Sequence, residues 1–388
     1  MNEFIYDVPV KVYFGENQLK HLGEELKKFG TRVLMTYGGG SIKKIGLYDK
    51  VVSEIKNSGL ELYELSGIEP NPKISSVREG VKICKEKNID VLLAVGGGST
   101  IDATKGIGAG AKVDFDPWLF YTGEEKIEDG LPIVCILTNS ATGSEMNVNS
   151  VVSNPETNDK FGTKGLVSRP KVSFLDPTVT YSVNAYHTAC GAADIISHIF
   201  EVYFNLNPDL YMLDTVMEGL IKTVVKFAPI AIKDPTNYEA RANLMWASTW
   251  ALNGFIRGGK QGGWSCHPIE HELSAFYDIT HGLGLAIVTP RWMKYCLSEK
   301  TAWRYRGIGE NVFGLDKNLS DMEMAEKTIS KMEEFLFKTL NLQSTLTEIG
   351  IDETHFEIMA KKACNFKAIN GFVKLEPSDV EKILKDCL

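Results

Sequence analysis

A parallel α/β domain over residues 1–183 followed by an all-α domain over residues 184–388 is the fold class the sequence predicts. Three observations lead there. Up to Leu137, short apolar runs alternate with amphipathic helical patterns, the signature of βα units stacked into a parallel sheet with helices on both faces. From about residue 185 the strand-like runs all but disappear and long helical periodicities take over. At 388 residues, the chain is long enough for about two domains.

The elements follow in order. Residues 4–14 alternate as a strand and end at Gly15. Arg32-Val33-Leu34-Met35-Thr36-Tyr37 reads as a buried strand, Gly38-Gly39-Gly40-Ser41 as a turn, and the next stretch as a helix through Lys56. Leu60 to Leu65 is a strand, and Glu69-Pro70-Asn71-Pro72 is a stiff turn because its prolines fix φ and oppose helix. A helix over about 75–87 precedes the strand Asp90 to Val95, a second turn Gly96-Gly97-Gly98-Ser99, and a helix from Thr100. Leu131 to Leu137 is another apolar strand, leading into the polar loop Thr138 to Glu145. Residues 146–183 are irregular with room for a hairpin, and Pro177 to Asn184 is the linker. Helices are then expected over 187–204, 210–232, 238–255, 267–277, 282–296 and 320–340.

Composition narrows the function. A net charge of −8 disfavours nucleic acid or an anionic membrane as the main partner. Seven scattered cysteines, an odd number without CxxC spacing, fit a reduced cytoplasmic compartment. The N-terminus carries no signal core or transit bias, and no stretch approaches the ~18 apolar residues of a membrane span.

The two glycine turns lie where a buried strand hands over to a helix. There the backbone N–H groups and the positive end of the helix dipole can approach a phosphate. Neither turn is a GxGxxG fingerprint, yet two of them in one domain favour a Rossmann-like dinucleotide-binding unit. Gly96 to Ser99 would hold the pyrophosphate, with 38–41 near the adenosine ribose. An acidic residue at that second turn would bond a ribose 2′-hydroxyl and repel a 2′-phosphate. This chain has Gly39 there, with Ser41, Lys43 and Lys44 beyond, so NADP(H) is expected over NAD(H). The hydroxyls of Thr138, Ser140 and Ser144 are further cofactor candidates.

In the second half, Asp194 and His198 are four residues apart, as are His267 and His271, a spacing that puts each pair on one helix face. Four of the seven histidines fall between 198 and 281, three of them within fifteen residues, which favours a metal cluster over scattered core histidines. Imidazole and carboxylate donors suit Zn(II), Fe(II) or a similar divalent ion.

With these features placed, the chain resembles the iron-dependent alcohol dehydrogenase family, in its NADPH-linked butanol dehydrogenase and broad-range aldehyde reductase branch. The stretches carrying the resemblance are Tyr37 to Ser41, Glu69 to Pro72, Val95 to Ser99, Ala141 to Glu145, Leu175 to Pro177, Gly191 to His198 with Glu201, and His267 to Gly282. The resemblance implies one divalent ion, Fe(II) or Zn(II), held by Asp194, His198, His267 and His281, with His271 beside the nicotinamide and substrate. It implies a cofactor cleft lined by Gly38, Gly39, Ser41, Gly97, Gly98, Ser99, Asp102, Thr138 and Ser144, with Lys160 reaching the ribose; Asn71, inside the Glu69 to Pro72 stretch, and Ser140, in the hydroxyl-rich loop, join that set. It also implies a homodimer. The family's usual Leu-Pro after Asp-Pro is replaced by Ser182-Val183-Asn184.

The expected reaction interconverts short-chain aldehydes and primary alcohols, with the metal as Lewis acid and His271 as proton relay. Trp246, Trp250, Phe255 and Trp264 are candidates for an aliphatic pocket, although such residues are more often core, and the loop 258–263 for a gate. Three rivals remain. A glycerol-dehydrogenase-like or dehydroquinate-synthase-like enzyme would share the fold, and a dinucleotide sensor would lack turnover. In an inverted-motif zinc peptidase, His267-Pro268-Ile269-Glu270-His271 would supply two ligands and Glu270 the general base.

Overall fold

The computed structural model describes residues 3–207, 210–259 and 263–388. The chain divides into two compact units. One comprises Asp7–Val183 with Pro235–Met245, the other Met1–Tyr6, Asn184–Asp234 and Trp246–Leu388.

The first unit is built on a six-stranded parallel sheet: β1 (Lys11–Phe14), β2 (Arg32–Tyr37), β3 (Glu61–Leu65), β4 (Val91–Gly96), β5 (Ile133–Leu137) and β8 (Val172–Leu175). Their spatial order is β1-β8-β5-β4-β2-β3. The helices between them are α1 (Leu22–Lys27), α2 (Ser41–Lys44), α3 (Leu47–Asn57), α4 (Ile74–Lys87), α5 (Gly98–Gly110) and α6 (Trp118–Thr122). The central strands are apolar at nearly every position because both faces are covered. Side chains alternate between the faces. Leu34, Leu92, Ala94 and Ile133 join one core, with Val77, Ile101 and Ile107; Val33, Met35, Val91, Leu93 and Val134 join the other, with Leu22, Val51 and Ile55.

Sheet order explains where a ligand can sit. β2 pairs with β3 on one side and β4 on the other, so the winding reverses between β2 and β4. Open α/β sheets bind ligands beyond the carboxyl ends of strands at such a switch point. Both glycine turns lie there, because Tyr37 pairs with Val95 at the strand ends.

The expected hairpin appears as β6 (Asn149–Asn154) and β7 (Asp159–Lys164), antiparallel and outside the main sheet. Several boundaries differ from expectation. The N-terminal strand is only Lys11–Phe14, because β1 is an edge strand and its length is limited by its neighbour β8. The helix expected from Ser41 breaks at Gly46 (φ 73°) into α2 and α3. Gly96 ends β4 and Gly98 begins α5, leaving Gly97 alone as the turn.

The second unit contains α7 (Ala185–Tyr203), α8 (Tyr211–Lys233), α10 (Cys266–Tyr277), α11 (His281–Cys296), α12 (Asp321–Glu333), α13 (Phe356–Ala363) and α14 (Pro377–Lys385); α9 (Tyr238–Ala251) begins in the first unit and ends in this one. α7 starts at Asn184, whose side chain accepts from the His187 N–H at 2.8 Å, a strong N-cap. The unit is largely rather than wholly helical: Ile369–Asn370 and Lys374–Leu375 form a short antiparallel ladder. α9 stops at Ala251 rather than 255, and the helix expected to 340 changes to a wider winding after Glu333. Within the expected gate, Lys260, Gln261 and Gly262 lie outside the described residues. No helix is long and apolar enough to cross a membrane among the described residues. All seven cysteines are buried free thiols.

Candidate functional site

Three helices of the second unit assemble the candidate metal centre. α7 carries Asp194, His198 and Glu201 at i, i+4 and i+7, one stripe of a helix that is buried almost throughout. α10 presents His267, Glu270, His271 and Ser274 with the same periodicity. α11 begins at His281. Its approach to α7 depends on Gly282, where an added Cβ would lie 2.1 Å from the Cys190 carbonyl oxygen.

Ligand atoms of Asp194, His267 and His281 all lie within 4.8 Å of one another. Asp194 Oδ1 is 3.7 Å from Nε2 of both His267 and His281, too far for a hydrogen bond and close enough to share an ion. His198 Nδ1 is 3.4 Å from the same oxygen, and the His198 ring stacks on His267 with centroids 4.6 Å apart. Asp194, His198 and His267 are 2–3 % exposed, yet Asp194 Oδ1, His198 Nδ1 and His267 Nε2 have no hydrogen-bond partner. Leaving buried polar atoms unpaired costs about 1–3 kcal/mol each, so a cluster of them with mixed N and O donors fits a divalent cation.

Charge at the centre agrees with this. Burial opposes a charge on His267, but Asp194 and Glu201 outweigh it and hold its pKa up to about 9. Burial also works against the Asp194 carboxylate, and the surrounding imidazoles bring its pKa down to about 2. Burial depresses His198 to about 4. The pocket therefore favours positive charge between Asp194 and Glu201.

His271 stands at the edge of this group, half-buried, with ring centroids 5.7 Å from His281 and 6.3 Å from His267. Among the expected pocket aromatics, Trp264 packs on His267 (4.5 Å) and His198 (5.8 Å). Trp246, Trp250 and Phe255 instead form an edge-to-face chain of their own.

The sequence reading assigned no role to two neighbouring glutamates, Glu201 and Glu270, or offered the second only as a peptidase base. Glu201 bonds His267 Nδ1 at 3.0 Å, and Glu270 Oε2 pairs with His281 Nδ1. Glu270 Oε1 accepts from the Ser274 hydroxyl. With both oxygens bonded and no exposure, Glu270 is not placed to activate water as the peptidase reading requires. Their signal was the helical spacing: Glu201 is three residues beyond His198, and Glu270 lies between His267 and His271.

In the first unit, the cofactor candidates gather at the strand ends. Gly38 is confined, since an added Cβ would lie 3.1 Å from the Ile68 carbonyl, whereas Gly39 borders open space. Ser41 opens α2, and Lys43 Nζ lies over the Tyr37 and Tyr48 rings at 5.2 and 4.7 Å. Gly97 is extended, and α5, with Gly98 and Ser99 in its first turn, has no side-chain cap, leaving its first N–H groups for a ligand. An added Cβ on Gly98 would strike Thr142 at 2.4 Å, so the hydroxyl-rich loop sits directly on this turn. Thr138 is tied by its N–H to the Gly96 carbonyl, and Ser140 follows in the same loop.

Asp102 and Ser144 are joined to each other at 2.5 Å, and Asp102 Oδ2 accepts from the Val151 N–H. Lys105, unnoticed in the sequence, is fully buried below them, donating to Ser144 Oγ, Asn147 Oδ1 and the Asn149 carbonyl; burial lowers its pKa to about 8. Lys160 donates to Asn71 at 3.0 Å, brought there because Ser153 bonds the Pro72 carbonyl.

A phosphate-type turn at a sheet switch point and a carboxylate–imidazole cluster are the parts of a nucleotide-linked, metal-dependent enzyme. Comparison with known proteins makes this specific. Residues 9–177 match the iron-containing alcohol dehydrogenase model, and residues 188–388 match the C-terminal model of the same family. NADH-dependent butanol dehydrogenase A of Clostridium acetobutylicum is 48% identical over 99% of this chain and 98% of its own length. The NADPH-dependent aldehyde reductase YqhD of Escherichia coli is 36% identical over 93% of each. The crystal structure of NADH-dependent butanol dehydrogenase A from Thermotoga maritima superposes with a TM-score of 0.95 at 40% identity, covering 100% of this chain and 99% of that one. The chain belongs to the iron-containing alcohol dehydrogenase family.

Proposed function

We propose that this enzyme reduces short aliphatic aldehydes of the butanal class, and oxidises the matching primary alcohols, with NADPH preferred over NADH. The observation that carries the reading is the convergence of Asp194, His267 and His281, in which the buried Asp194 Oδ1 and His267 Nε2 have no hydrogen-bond partner. Asp194, His198, His267 and His281 would hold the divalent ion. Such an ion supplies Lewis-acid polarisation of a carbonyl oxygen, and a reduced nicotinamide supplies hydride.

The protein's own groups do the rest. Trp264, packed on His267 and His198, supplies apolar surface beside the donors and suits an alkyl chain. His271 gives a ring N–H proton to the former carbonyl oxygen in reduction and accepts the hydroxyl proton in oxidation. The open α5 amino terminus and Gly97 seat the diphosphate. Lys160 and Asn71, together with Thr138, Ser140 and Ser144, fix the remainder of the nucleotide. We read the working form as a homodimer in the cytoplasm.

NADPH preference rests on the ribose turn. Gly39 leaves room, Lys43 and Lys44 supply positive charge, and Glu64 is held by Tyr37 and Tyr48 at 2.8 Å each rather than offered to a hydroxyl. The names of the clostridial and Thermotoga relatives favour NADH as a second reading. Butanal-dependent oxidation of NADPH and NADH, before and after chelation and reloading with Fe(II) or Zn(II), tests the whole. Activity lost on chelation and restored by metal is expected, with kcat/KM higher for NADPH. Turnover that survives complete metal removal overturns the reading.

The turn itself can be tested by Gly39→Asp. The site has space for the new side chain, and its charge would repel a 2′-phosphate. Steady-state kinetics should show KM for NADPH rising at least about tenfold while KM for NADH changes little.

A further inference from the structure

We propose that Glu201 and Glu270 are positioning residues that turn His267 and His281 toward the cation, each fixing one imidazole so that Nδ1 carries the proton and Nε2 faces Asp194. The proposal rests on the ligand set above and extends it to two residues outside that set.

Geometry supports it on both sides of the centre. The His267 ring is bracketed: Nδ1 lies 3.0 Å from Glu201 Oε1, while Nε2 is unpartnered and 3.7 Å from Asp194 Oδ1. His281 repeats the arrangement, with Nδ1 on Glu270 Oε2 and Nε2 3.7 Å from the same Asp194 oxygen. A carboxylate accepts and does not donate, so each ring is left with one tautomer when neutral and its lone pair at Nε2. The charged acceptor also makes that lone pair more basic, as carboxylate–histidine–metal triads do.

The glutamates are themselves held. Glu201 comes from α7 and takes the backbone N–H groups of Ser265 (2.6 Å) and His267 (2.8 Å) as well as the ring. Ser265 gives α10 no side-chain cap, so a carboxylate from a neighbouring helix satisfies the start of α10 and fixes where His267 emerges. Glu270 is anchored by Ser274 one turn along its own helix. The side chains of Asp194, Glu201 and Glu270, each at most 3 % exposed, place three carboxylates around the two imidazoles, a charge that a divalent ion offsets.

Glu270→Met is the cleaner probe, since a thioether of similar length fills the space and gives the His281 Nδ1–H no comparable acceptor; Glu270→Gln, whose amide oxygen can still accept from His281, is its control and should hold Co(II) more tightly than Glu270→Met. Glu201→Gln turns an NH2 toward an N–H of Ser265 or His267 and tests the cap as well. Co(II)-loaded full-length enzyme is titrated with a chromophoric chelator, its visible d–d absorption recorded, and apoprotein thermal unfolding followed in parallel. We expect Co(II) affinity to fall 10–100-fold in Glu270→Met and in Glu201→Gln, with an altered d–d band. The apoprotein midpoint of Glu270→Met should stay near the wild-type value. Wild-type affinity and spectrum in Glu270→Met and Glu201→Gln, with His267→Ala unable to hold Co(II), overturn this proposal alone. Full Co(II) retention in His267→Ala overturns the ligand set and this proposal together. Loss of affinity that only tracks a collapse of the apoprotein midpoint assigns the glutamates to folding and overturns the positioning role.

Discussion

Two aspartates, the half-buried Asp102 and the buried Asp194, show opposite ways of surrounding a carboxylate with protein. Asp102 is saturated by its own unit: one oxygen takes the Ser144 hydroxyl, the other the Val151 N–H, and Lys105 supports Ser144 from below. Asp194 is surrounded by imidazoles, yet its Oδ1 has no hydrogen bond. The first arrangement builds a rigid floor under a turn. The second leaves lone pairs converging on one point, which marks a site for something the chain does not itself provide. A perturbed, buried ionisable group therefore says little until its partners are counted.

The largest effect expected from breaking this contrast is at Asp194. Asp194→Asn should strip most of the bound metal and lower kcat/KM at least about 1000-fold, seen as metal content after desalting and as NADPH oxidation with butanal. Asp102→Asn should leave metal content unchanged. It should destabilise the fold by about 1–3 kcal/mol and raise the nucleotide KM, because an amide cannot accept from both Ser144 and Val151. Denaturant unfolding and nucleotide titration separate the two outcomes.

Gly282→Ala probes how the vacant donors are brought together. Its methyl would press on the Cys190 carbonyl, costing about 1–3 kcal/mol by urea denaturation and weakening metal retention in step. The smallest effect concerns a third carboxylate, this one also buried. Glu25 is disfavoured as an anion by burial, but Lys11, Lys28 and Tyr13 bond it and bring its pKa down to about 2. Because the folded value lies below the usual carboxylate range, its stabilisation is present above about pH 4.5 and fades as pH falls toward 2. Glu25→Gln should therefore be less stable than the parent at pH 7 and should converge with it near pH 2 in pH-resolved unfolding.

Much of this was legible in the chain. The central strands were readable because both sides are apolar, and the Asp194/His198 and His267/His271 spacings because helical periodicity is local. What escaped depends on distance along the chain. Lys105 reaches Ser144 across 39 residues and Glu201 reaches His267 across 66, so neither partnership leaves a local pattern. Breaks such as Gly46 were missed because a positive φ is a property of the folded backbone and a glycine alone does not announce it. The reach of β1 was overestimated for a related reason: alternation runs through residues 4–14, but pairing with β8 covers only the last four.

The contact between Gly282 and the Cys190 carbonyl also limits how this catalyst can be redesigned. Where two backbones meet with only a hydrogen between them, no side chain can be introduced to retune the neighbouring His281. On the function proposed above, efforts to accept bulkier or branched aldehydes should leave that crossing untouched and begin at Trp264, where removing aromatic volume frees space beside His198 and His267.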